Sequence, residues 1–75
     1  MDTQLVDWYL SIADLQEVLR CLHPETDQGV ARQVTTELFR RTDQAPAKAV
    51  RLPLARFHEL PFAARRQGDV RPVSH

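Results

Sequence analysis

The chain has 75 residues, no net charge, 43% hydrophobic residues and a single cysteine, which fits one domain with a thin core and excludes an internal disulfide. No run approaches the roughly 18 consecutive apolar residues of a membrane span, and Met1-Asp2-Thr3 lacks the basic start of a secretory signal, so a cytoplasmic protein without membrane attachment is expected. Domains below about 70–80 residues seldom draw more than ~3–5 kcal/mol from one core, which points to a homo-oligomer or a partner chain as further support.

Six large apolar residues, Leu5, Trp8, Ile12, Leu15, Leu19 and Leu22, recur at a/d heptad spacing and predict a first helix over 3–22, stopped by Pro24. Leu10 lies opposite that stripe, and Ser11 followed by Asp14 has the form of an N-cap with an acid three residues on. The competing reading is therefore a strand at 4–10, with Val6, Trp8 and Leu10 on one face, and a helix over 12–22.

Pro24-Glu25-Thr26-Asp27 supplies a proline and acids suited to a helix start. The second helix is expected over 26–41, with Val30, Ala31, Val34, Leu38 and Phe39 as its apolar stripe and Arg40 and Arg41 at its negative end. A link this short would fold the two helices into an antiparallel hairpin.

Beyond Thr42 the prolines crowd. Val50, Leu52 and Leu54 alternate with Arg51, Pro53 and Ala55, a strand signal over 49–54 that Pro53 weakens. Leu54, Phe57 and Leu60 suit a short helix opened by Pro53 instead, and Pro61 to Gly68 has the proline-first, glycine-last form of another. The expected fold is thus mainly α: a hairpin of helices 3–22 and 26–41 with a proline-punctuated segment, in one domain over 1–68, and a disordered tail at 69–75. The alternative is a small α+β fold with a strand at 4–10, at 49–54, or at both.

The zero net charge conceals a partition. Residues 1–37 hold seven acids and two arginines, for −5, and residues 38–75 hold eight bases and three acids, for +5. Either the basic half is an arm for an anionic partner, or the two halves neutralise each other, and the second needs no unseen partner. Nine arginines against one lysine suggest a GC-rich bacterial or phage genome.

Catalytic and metal motifs are missing from the sequence. Cys21 and His23 are two apart, a spacing at which helical side chains do not face each other, and no second pair completes a zinc site. His58-Glu59 is followed by Leu60-Pro61-Phe62, without the second histidine of a zinc protease. Two glycines are too few for a phosphate-cradling loop, so neither enzyme activity nor a cofactor is expected. The expected role is a small non-enzymatic regulatory or adaptor protein that binds another protein. Its anchors would be Trp8, Tyr9, Leu10, Phe57 and Phe62, with Arg65 and Arg66 as rim charges. The alternative is a nucleic-acid-binding transcriptional regulator, because Arg51, Arg56, Phe57, Phe62, Arg65 and Arg66 interleave charge and aromatic faces in the basic half.

Overall fold

A computed structural model of the chain describes residues 4–42 and 49–73. Its elements run β1 (Leu5–Tyr9), α1 (Ile12–Cys21), α2 (Gln28–Thr42), β2 (Val50–Pro53), α3 (Leu54–His58), α4 (Phe62–Arg65) and β3 (Asp69–Pro72). The three strands form one antiparallel sheet in the order β2-β1-β3, so the first strand of the chain is the central one. The fold is α+β, which overturns the mainly helical hairpin and matches the alternative of strands near 4–10 and 49–54.

Residues 3–22 are not one helix, because two periods compete there and the period of two wins. Val6, Trp8 and Leu10 are buried while Asp7 and Tyr9 turn outward, the alternation of a half-buried strand. Of the heptad positions, Leu5 is only partly covered and Ile12 is exposed. Ser11 then breaks the chain direction with an extended backbone, φ −73° and ψ 171°, and opens α1 with a capping box. Its hydroxyl accepts from the Asp14 N–H at 3.1 Å, and the Asp14 carboxylate accepts from the Ser11 N–H at 3.2 Å. Two orphan donors of the first turn are satisfied at once.

α1 buries Leu15 and Val18 completely and lies against α2 and α4. α2 starts two residues later than expected, at Gln28, behind a turn tied by the Asp27 N–H to the His23 carbonyl (2.9 Å). Val30 and Val34 face the core and Leu38 is half-covered, but Phe39, placed by the sequence on the same stripe, is 68% exposed. At the C-terminal end of α2, Arg41 donates to the Leu10 carbonyl and ties the helix back to the end of β1.

The segment from residue 49 to residue 65 is both strand and helix. Pro53 ends β2 and stands at the N-cap of α3, and Pro61 does the same for α4. The tail expected from residue 69 begins instead as β3, stitched to β1 through the Val73 N–H and the Leu5 carbonyl (3.1 Å). Gly68 makes that return possible with φ +65°; a Cβ there would stand 2.2 Å from the Tyr9 carbonyl oxygen, where only glycine fits.

The register also explains why prolines are tolerated in both edge strands. Leu54 donates to the Gln4 carbonyl and Val73 to the Leu5 carbonyl, so alternation places Pro53 and Pro72 at positions whose nitrogen points away from β1. Neither proline removes a ladder bond. Each interrupts the outer edge of its strand, a device that resists further strand pairing.

Candidate functional site

Among the described residues, helices cover one face of the sheet and leave the other open. In register across that open face lie Pro53, Leu5 and Val73, then Arg51, Asp7 and Arg71, then Tyr9 beside Asp69. Tyr9 is 48% exposed on the central strand. The Arg71 guanidinium sits over its ring, 5.7 Å from the centroid, the diagonal contact that an antiparallel ladder brings into reach.

Asp7 is flanked by two arginines and hydrogen-bonded by one. Arg51 reaches it with two bonds, Nε to Oδ1 at 2.8 Å and Nη2 to Oδ2 at 3.2 Å. These bonds hold the Asp7 carboxyl below its ordinary 3.8 and push the Arg51 guanidinium higher, against a smaller opposing effect of desolvation on Asp7. A depressed carboxyl stabilises the fold above its unfolded value, and that contribution is lost as pH falls from 3.8 through the lower folded value. Denaturation midpoints should therefore drop on acidification below about pH 4. Asp7→Asn should flatten part of that fall; a variant with an unchanged acid limb would remove Asp7 from the account.

A second pair joins the acidic and basic halves inside the fold. Asp27, 1% exposed, accepts from the His23 N–H at 2.8 Å and from Arg56 Nη2 at 3.1 Å. Arg56 also donates to Glu59 and to the Thr26 carbonyl, so one guanidinium clasps the α1–α2 turn to α3. Both cross-half pairs, Asp7 with Arg51 and Asp27 with Arg56, support mutual neutralisation of the −5 and +5 halves.

The anchors read from the sequence separate into two groups. Trp8, Leu10 and Phe57 are 0%, 3% and 8% exposed and belong to the core, where Trp8 meets Phe57 edge to face at 5.1 Å. They are not surfaces for a partner. Their apolar bulk is what closes so small a core. Tyr9 and Phe62 are exposed, but apart: Tyr9 stands on the open sheet face, and Phe62 opens α4, which packs on α1 at the helical side. Arg65 is half-buried over the Phe62 ring at 5.7 Å, and Arg66 is exposed. Sequence reading missed Asp7, Asp69 and Arg71 as one surface, because only the register brings them to Tyr9.

Among the described residues no cluster of three or more His, Cys, Asp or Glu is placed to hold a metal ion, and no helix is long and apolar enough to cross a membrane. Ser11 is occupied as a cap, Cys21 is half-buried on α1, and His23 and His58 are exposed. No protein family, curated protein or solved structure matches the chain.

Proposed function

We propose that this protein is a non-enzymatic binding module, a regulatory or adaptor component that docks a protein through the open face of its sheet, with a second copy of itself as the occupant. The observation that carries this reading is the composition of the face around Tyr9. A half-exposed tyrosine stacked under Arg71 stands next to a charged row, with an apolar row beyond it, and tyrosine and arginine are the residues that dominate binding energy at protein interfaces. The face carries Asp7 and Asp69 against Arg51 and Arg71 and has no net charge. Such a surface is self-complementary: a two-fold axis near Tyr9 sets the arginines of each copy against the acids of the other. Phosphates would meet no net field there, which disfavours nucleic acid at this face.

Sedimentation from micromolar to submillimolar concentration should move from the 8.6 kDa of one chain to twice that mass. Tyr9→Ser, on a half-exposed side chain, should leave the circular dichroism spectrum intact and weaken association by about thirtyfold, the equivalent of a 2 kcal/mol hot spot. A chain that stays monomeric throughout, or a Tyr9 variant that dimerises like the parent, rules out the second copy at this face.

A further inference from the structure

We infer that the groove between α2 and the outer edge of β2 is a binding site for a small phosphate-bearing molecule with more than one anionic group. The groove encloses about 410 Å³, within the roughly 300–1,000 Å³ of small-molecule sites. Arg32, Thr36 and Arg40 line one wall at four-residue spacing, and the backbone of Arg51 stands opposite, its side chain turned to Asp7 on the open face. Helical rise separates the backbones of Arg32 and Arg40 by about 12 Å along the axis, with Thr36 midway between them on the same wall.

The walls are tied in place. Gln33 donates its side-chain amide to the Arg51 carbonyl at 2.8 Å and so links α2 to β2. Arg51 is steadied by Asp7, and the strand register turns its backbone N–H away from β1 toward the groove. Glu37, 6% exposed, lines the same wall and has an interaction partner of its own. Arg32 and Arg40 are exposed and make no salt bridge with a described carboxylate, which leaves their planar donor forks open to phosphate oxygens. An extended peptide is a poor fit, since Gln33 takes one of the outward carbonyls of β2 and Pro53 withholds a donor. This site is separate from the Tyr9 contact, although Arg51 borders both.

The test is a titration of the isotope-labelled full chain with sodium tripolyphosphate and with pyrophosphate, followed by amide chemical shifts. Saturable shifts should centre on residues 32–40 and 51, and affinity should fall with added salt. Arg32→Ala with Arg40→Ala, both exposed, should keep the native spectrum and lose at least tenfold in affinity. Arg20→Ala with Arg66→Ala, on α1 and beyond α4, should bind like the parent. Absence of saturable shifts with both polyphosphates, or equal loss in both double variants, overturns the site. So does a short single-stranded oligonucleotide that shifts the same amides when neither polyphosphate does.

Discussion

Replacing Trp8 with alanine is expected to abolish cooperative folding. The side chain is fully buried on the central strand, its ring meets Phe57 at 84°, and its indole N–H donates to the Gln67 carbonyl at 2.7 Å. It thereby joins β1, α3 and the turn that launches β3. Truncating a buried tryptophan costs about 3–5 kcal/mol, which equals the ~3–5 kcal/mol that a core of this size supplies. Urea titration of Trp8→Ala should show no sigmoidal transition. Trp8→Phe keeps most of the ring and loses the donor, leaving the Gln67 carbonyl without its partner, for about 1–3 kcal/mol. It should unfold cooperatively at a lower midpoint. A cooperative Trp8→Ala protein with a midpoint near the parent's contradicts this arrangement of the core.

The second large effect belongs to Asp27. Alanine there removes the acceptor of both the His23 N–H and Arg56, and leaves a guanidinium partly shielded from water without its buried carboxylate. Breaking a buried pair by removing one partner costs about 3–5 kcal/mol. The Arg56 side chain is 29% exposed, so some solvation recovers the charge and the expected loss lies near the lower end, about 3 kcal/mol. The double change Asp27→Ala with Arg56→Ala should be less destabilising than the sum of the single changes, by about 0.5–3 kcal/mol. Denaturant midpoints of the four proteins decide it. Strict additivity, or a loss below about 0.5 kcal/mol for Asp27→Ala, would mean that the turn is held by something else.

Local chemistry was the legible part of this sequence. The Ser11–Asp14 capping box, the two prolines at the starts of α3 and α4, the glycine before β3 and the apolar stripe of α2 each follow from residues a few positions apart. What decided β1 was not local. Trp8 and the leucines around it satisfy a heptad and an alternating strand equally well, and only pairing with β2 and β3 selects the strand. β3 itself, Asp-Val-Arg-Pro, has one large apolar residue and no strand signal of its own. With β3 read as tail, Asp69 and Arg71 dropped out of view, and so did the face around Tyr9. The charge partition is consistent with the pairs Asp7–Arg51 and Asp27–Arg56, but it could not tell which acid meets which arginine.

The central position of β1 sets a timetable for the newborn chain. Asp7 must wait 44 positions for Arg51, and Trp8 must wait 59 for the Gln67 carbonyl. At a synthesis rate of roughly 5–20 residues per second the first strand is made a few seconds before either neighbour exists. Throughout that interval Val6, Trp8 and Leu10 have no sheet to enter, although α1 already has α2 to pack against. On this topology β1 gains its second neighbour only when β3 is made, and closing such long loops before they are rewarded is expected to slow refolding. An arrested chain ending at residue 60 would carry every helix but α4 and an apolar first strand paired on one side only, a natural substrate for chaperones and proteases.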